Sequence, residues 1–209
     1  AYCWGLNTNG QLGNNSTVNS SIPVAVQGAH RFTSLNLGSS HSCGLKSDGS
    51  AFCWGLNSNG QLGDGGIAQS LIPVAVTGSH SFSSLKAAGN FTCGLKSDGA
   101  AFCWGSNGYG QLGDNTEGTD RLSPVAVAGS HNFSSLYLGE GSSCGLKSNG
   151  DSYCWGFNDH GQLGDGTSGS NRLSPVAVTG GHHFTSMALM QRSTCGLKSD
   201  GTSFCWGNN

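Results

Sequence analysis

Nine cysteines supply the first candidate chemistry in this 209-residue chain, and eight of them fall into pairs ten positions apart: Cys43 with Cys53, Cys93 with Cys103, Cys144 with Cys154, and Cys195 with Cys205. Zinc knuckles use Cys-x2-4-Cys spacings, so nine intervening residues fit a metal site poorly. Each pair instead brackets a turn: Ser47-Asp48-Gly49 in the first, then Asp98-Gly99, Asn149-Gly150 and Asp200-Gly201. A three-residue loop with Gly in the left-handed position closes a bulged hairpin. That register sets the two cysteines opposite each other, with Cβ atoms about 4.5–5.5 Å apart, close to what a disulfide needs. Four such bridges, each contributing roughly 3 kcal/mol in the chain-entropy picture, imply an oxidising compartment: secreted, periplasmic or cell-surface. Extracellular is the expected location. Cys3 has no partner within the chain. By the same rule its partner belongs before residue 1, so the chain reads as an excerpt of a longer array.

The remaining reactive side chains point away from catalysis. His30, His80, His131 and His182 recur at one equivalent position, whereas an active site is a single constellation; His41, His160 and His183 occur once each. Asp64, Asp114 and Asp165 follow one repeated motif, but no Asp-x-Asp-x-Asp-Gly run accompanies them as a calcium loop would require. There is no Gly-x-Ser-x-Gly elbow and no phosphate loop or dinucleotide fingerprint. No catalytic residue, metal site or cofactor is expected, and the chain reads as a non-enzyme. Asn14, Asn15, Asn19, Asn90 and Asn132 each open an Asn-x-Ser/Thr triplet and are candidate glycosylation sites. Chance alone gives a chain this rich in Asn, Ser and Thr several such triplets.

These residues are positioned by a repeat. Cys3, Cys53, Cys103, Cys154 and Cys205 each precede Trp-Gly, at spacings of 50, 50, 51 and 51. Gly-Gln-Leu-Gly follows from Gly10, Gly60, Gly110 and Gly161; Pro-Val-Ala-Val from Pro23, Pro73, Pro124 and Pro175; then Phe32, Phe82, Phe133 and Phe184; then Cys-Gly-Leu-Lys-Ser from each first cysteine. Self-similarity at a fixed period outranks local propensity. The repeats run approximately 5–54, 55–104, 105–155 and 156–206, with 1–4 the last strand of a preceding one. The one-residue insertion falls between Gly-Gln-Leu-Gly and Pro, marking that segment as the exposed loop. Four strands fit one period: Pro23–Val26, with Pro at a strand start, Phe32–Leu37, Ser42–Lys46 and Ser50–Gly55. Nothing predicts a helix. The repeated Trp reads as core between repeats.

Composition agrees. Gly is 36 of 209 residues and charged residues are 10%, so the chain is turn-rich, yet its apolar residues recur too regularly for disorder. A net charge of −2 with scattered Lys and Arg offers no surface for nucleic acid. No run approaches the roughly 18 apolar residues of a membrane span.

The run Cys-Gly-Leu-Lys-Ser-Asp-Gly (43–49) followed by Cys-Trp-Gly-Leu-Asn-Ser-Asn-Gly-Gln-Leu-Gly (53–63) resembles the repeat of the regulator of chromosome condensation family, along the whole chain. The resemblance implies an all-β fold of four-stranded β-propeller blades, about seven to a ring, and a protein-binding habit. Secreted, disulfide-containing members of the family are closer in flavour than the founding nuclear protein. Four repeats are too few for the usual ring, so further repeats are missing or the array is open. Nucleotide exchange on a nuclear GTPase does not carry over, because paired cysteines suit neither nucleus nor cytosol.

The expected function is a non-enzymatic extracellular structural repeat protein, assembling by self-association into a filament or surface appendage. The rival is a secreted propeller that binds a protein partner through the variable loops 14–22, 64–72, 114–123 and 165–174, as an inhibitor, adhesin or receptor ectodomain does. A lectin is a third option without a diagnostic signature.

Overall fold

The computed structural model describes residues 1–209 and contains only strands. In chain order these are β1 Tyr2–Gly5, β2 Ser20–Ala25, β3 Phe32–Leu37, β4 His41–Lys46, β5 Ala51–Gly55, β6 Ser70–Ala75, β7 Ser84–Ala88, β8 Phe91–Leu95, β9 Ala101–Gly105, β10 Arg121–Ala126, β11 Ser135–Leu138, β12 Ser142–Leu146, β13 Ser152–Gly156, β14 Arg172–Ala177, β15 Ser186–Leu189, β16 Ser193–Leu197 and β17 Ser203–Gly207. They form three four-stranded meanders, β3-β4-β5-β6, β7-β8-β9-β10 and β11-β12-β13-β14, flanked by the pair β1-β2 and the three-stranded sheet β15-β16-β17. Each sheet takes its outer strand from the segment after Cys-Trp-Gly, so a blade is out of phase with a period counted from that motif.

The hairpin register is the one the turn chemistry predicts. Cys43 faces Cys53, Cys144 faces Cys154 and Cys195 faces Cys205. The turn glycines Gly49, Gly99, Gly150 and Gly201 have φ of 82°, 84°, 89° and 84°. The third strand meets the fourth through a bulge, with Cys53 opposite Val74 and Gly55 opposite Ser70. This bulge corrects one expectation. The Pro-Val-Ala strand begins three residues before the proline, so Pro23, Pro73, Pro124 and Pro175 sit inside strands. Each of those strands is an outer edge, where the missing N–H removes no ladder bond.

By contact density the chain divides into two compact units, one of Ala1–Ser97 with Cys103–Ser106 and Asp120–Pro124, the other of Asp98–Phe102, Asn107–Thr119 and Val125–Asn209. Within the first, β7 packs on β3 and β4, burying Leu85; within the second, β15 packs on β11 and β12, burying Met187. The core of the second unit gathers the bridge Cys144–Cys154 with Leu163 and Met187.

Candidate interaction site

The cysteines, the loop carboxylates and the repeated histidines are engaged in contacts within the blades. All four predicted disulfides form, each with Cα atoms 4.1 Å apart: Cys43–Cys53, Cys93–Cys103, Cys144–Cys154 and Cys195–Cys205. Cys3 is free and half-buried.

The Gly-Gln-Leu-Gly motif, whose recurrence is visible in sequence but whose purpose is not, turns out to be a latch. The backbone carbonyl of each Gln accepts two bonds from the hairpin that follows it. Gln61 O receives Trp104 Nε1 at 3.0 Å and Thr92 Oγ1 at 3.1 Å. Gln11 O receives Trp54 and Ser42, Gln111 O receives Trp155 and Ser143, and Gln162 O receives Trp206 and Thr194. The motif's last glycine makes room for the indole. Gly63 has φ +69°, and a Cβ there would lie 2.6 Å from Trp104 Nε1. The Leu fills the core: Leu62, Leu112 and Leu163 are fully buried. The Gln side chain pins the turn itself, Gln61 Oε1 accepting the Asn59 N–H.

A second device fixes the variable loops. The Asn of Trp-Gly-x-Asn is fully buried at Asn7, Asn57, Asn107 and Asn158. Asn57 Oδ1 accepts the Leu62 N–H, and its Nδ2 donates to Asp64 Oδ1, Gly66 O and Ala68 O. This occupies the acidic positions considered for calcium: Asp64 also accepts the Gly66 N–H, Asp114 the Thr116 N–H and Asp165 the Thr167 N–H. Burial raises the Asp165 carboxyl, but bonds from Thr167 and Arg172 outweigh it and hold it below the ordinary Asp range. The Arg172 contact is 2.6 Å.

The repeated histidines are stacked aromatics. His131 lies 5.2 Å from Phe133 and 4.4 Å from Tyr153, and Lys147 Nζ sits 4.6 Å over Tyr153. His30 repeats the arrangement with Phe32, Phe52 and Lys46, and His182 with Phe184, Phe204 and Lys198. Burial, then the neighbouring lysine, holds His30, His80 and His131 below the usual imidazole range. His160 lies edge-on to Phe157, whose ring packs at a tilt against Tyr109, and His183 contacts Asp151. His41 alone is buried, its Nε2 bonded to Thr92. No three His, Cys, Asp or Glu residues converge as a metal group.

The five candidate sequons separate by geometry. Asn14 and Asn19 each accept a bond from Asn7, and half-buried Asn90 donates to Asn59. Asn15, Asn19 and Asn132 are exposed.

Two edges differ from the rest. Trp54, Trp104 and Trp155 are fully buried, but Trp4 is 63% exposed. The bridges of the three complete sheets are buried, but Cys205 is exposed on β17, which has no outer neighbour.

Disulfide-stapled four-stranded meanders, latched in series through one carbonyl, define the class: a tandem β-propeller repeat protein. The model of the regulator of chromosome condensation (RCC1) repeat matches residues 1–45, 48–95, 98–146 and 149–197, and the chain belongs to that family. Among solved structures, human WBSCR16 is similar over 100% of this chain and 57% of its own, at TM-score 0.87 and 21% identity. Yeast RCC1 (Prp20), solved bound to Kap60, is similar over 100% of this chain and 52% of its own, at TM-score 0.84 and 22% identity. The ectodomain of the Physcomitrella patens receptor kinase CR4 is similar over 91% and 44%, at TM-score 0.60 and 24% identity. The chain spans about half the length of these proteins.

Proposed function

We propose that this chain works as a non-enzymatic extracellular repeat scaffold that self-associates, forming a filament or surface appendage. The observation that carries this reading is the latch. The same pair of bonds onto a Gln carbonyl, one from a Trp indole and one from a Ser or Thr hydroxyl, recurs four times, so each repeat completes its neighbour and an array of this kind extends by adding like to like. Four disulfides support an oxidising, extracellular setting. The titratable side chains are engaged in stacking and loop anchoring, which supports a binding or structural role over catalysis. If the chain is exported by a glycosylating cell, exposed Asn15, Asn19 and Asn132 are the most accessible acceptors, and Asn19 keeps its amide nitrogen free because only its Oδ1 is bonded, to Asn7 N–H.

A second reading is favoured by the loops. Val18, Ile22 and Ile67 are 72%, 68% and 63% exposed on the segments that vary between repeats, and such apolar tips suit a protein partner. The crystal of yeast RCC1 with Kap60 and the plant receptor ectodomain are precedents for propellers that bind proteins or face outward.

Light scattering with negative-stain microscopy on the disulfide-intact protein tests both. Fibres with an axial repeat of a whole number of blades support the scaffold. Discrete particles of one size that do not grow with concentration overturn it and leave the loop-binding reading.

A further inference from the structure

The repeat is broken at one internal place. In the first unit, Asn90, Asn59 and Asp120 close a polar network: Asn90 Nδ2 donates to Asn59 Oδ1 at 3.4 Å, and Asn59 Nδ2 donates to Asp120 Oδ2 at 2.7 Å. One repeat on, in the second unit, the same three positions hold Gly141, Tyr109 and Asn171, and Phe157 stands where Ser106 stood. These four residues belong with the complete sheet β11-β12-β13-β14: Gly141 precedes β12, Phe157 follows β13 and Asn171 precedes β14.

The substitutions turn a closed network into an open ledge. Tyr109 and Phe157 pack with ring centroids 4.8 Å apart and planes tilted by 49°. Gly141 makes this possible, because a Cβ there would lie 3.2 Å from Tyr109 Cδ2 and 3.5 Å from Phe157 Cβ. Tyr109 nevertheless stays 47% exposed. Asn171 turns to the variable loop and donates to Glu117 Oε1 at 3.1 Å, while its own Oδ1 is buried with no partner. It belongs to the same ledge, since Gly110, beside Tyr109, lies against Leu173. An acceptor left without a donor marks an incomplete network. The charge is one-sided as well. Glu117 and Glu140 are exposed and neither is in an ion pair, whereas the nearby Arg172 is held by Asp165.

We propose that this ledge anchors an arginine side chain of a protein partner. The inference rests on the loop-binding reading and names its anchor, for Glu117 lies on the variable loop 114–123. Each feature of the ledge asks for the same group. The open face of Tyr109 attracts a cation. The carboxylates of Glu117 and Glu140 lack a counter-charge, and the Asn171 carbonyl lacks a donor. A guanidinium supplies all of this at once, because it is planar, stacks on aromatic rings and carries five N–H donors in a fixed fork with no acceptor to be left unpaired. A lysine ammonium is a compact, strongly hydrated charge that cannot stack in this way. A neutral sugar would use the rings and leave both carboxylates unneutralised. The singularity of the ledge gives it a role that the repeated histidines lack: the positions equivalent to Tyr109 in the first two repeats are Asn9 and Asn59, so one arginine is fixed at one repeat and sets the partner's register.

Saturation-transfer NMR, which works on particles of any size, tests the site on the disulfide-intact 209-residue chain with the probe Ac-Gly-Arg-Gly-NH2. The expected result is saturation of the arginine methylene protons, with binding about tenfold weaker for the citrulline analogue, which keeps the shape and loses the charge. Tyr109→Asn restores the residue of the first two repeats, which the fold already accepts, and is expected to weaken arginine binding about fivefold. Glu117→Gln should weaken it too and flatten its salt dependence between about 20 and 200 mM. Equal binding of citrulline, an unchanged Tyr109→Asn, or saturation of an N-acetylglucosamine trimer that arginine does not displace overturns the arginine site. A random-peptide library displayed on phage and panned on the same chain separates this failure from that of loop binding. Arginine-rich binders that Tyr109→Asn loses support the anchor. Binders that Tyr109→Asn keeps sink the anchor alone, and the absence of any binder sinks loop binding as well.

Discussion

Trp104 donates its indole N–H to the backbone carbonyl of Gln61 at 3.0 Å, across 43 residues of sequence. The same carbonyl receives Thr92, so removing the indole donor does not orphan it. Trp104→Phe therefore tests packing and one hydrogen bond together, and is expected to cost about 2 kcal/mol. Urea unfolding followed by circular dichroism measures it, and an unchanged midpoint contradicts the latch.

Gly63 is the other half of that contact. A Cβ at Gly63 requires the indole to move and a side chain to sit at φ +69°, so Gly63→Ala is expected to cost at least about 2 kcal/mol. Gly108→Ala is the control, because nothing lies within 4 Å of the added atom and its φ is not positive. The two variants should separate clearly in thermal unfolding; equal losses would show that the Trp104 contact is not what demands glycine.

The repeat, the hairpins and the pairing of eight cysteines were legible in the sequence because each rests on local chemistry: Asp-Gly or Asn-Gly turns fix a register, and the register fixes Cys43 opposite Cys53. The proline strands were placed three residues late because the bulge opposite Gly55 recruits Ser70, a pairing that no local signal encodes. Gln61 and Asn57 were visible only as repeated letters. Gln61 acts largely through its backbone carbonyl, which every residue has. Asn57 acts by reaching carbonyls nine and eleven residues away, at Gly66 and Ala68. The Trp residues were correctly read as core between repeats, but exposed Trp4 shows that this burial depends on a neighbour, and no residue type reports that.

Asn57 is expected to be harder to replace than its surface-loop neighbours. Asn57→Ala leaves the Leu62 N–H and two carbonyls without their partner and should cost about 3 kcal/mol. Asn57→Asp keeps the acceptor but turns a carboxylate toward Asp64 and the carbonyls. Its loss should be larger at pH 7 than at pH 4, where the introduced acid can protonate and donate. A pH series of melting temperatures checks the crossover, and a constant deficit would argue that only size matters at this position.

The four bridges are expected to open in a fixed order under mild reductant. Cys205 is exposed, whereas Cys43, Cys53, Cys93, Cys103, Cys144 and Cys154 have no accessible surface. Attack requires access to sulfur, so Cys195–Cys205 should be reduced first in timed alkylation with mass spectrometry. Simultaneous loss of all four would mean that global unfolding, not local access, governs reduction.

His41 supplies a pH dependence whose sign follows from its burial. Desolvation lowers its pKa to about 4, and the group it faces is the neutral Thr92. In the unfolded chain the imidazole titrates near 6.5. Between those values the unfolded state binds the proton and the folded state does not, so stability present above pH 6.5 is lost progressively as pH falls toward 4, by at most about 3 kcal/mol. Phe91 holds the equivalent position one repeat on and is fully buried, so His41→Phe fits a site of known shape. The variant should match or exceed the parent at pH 7, since it also removes the unpaired Nδ1. Its advantage should then widen as pH falls to 4.5, read as melting temperature against pH. Parallel curves for the two proteins over that window would show that His41 is not the group that titrates.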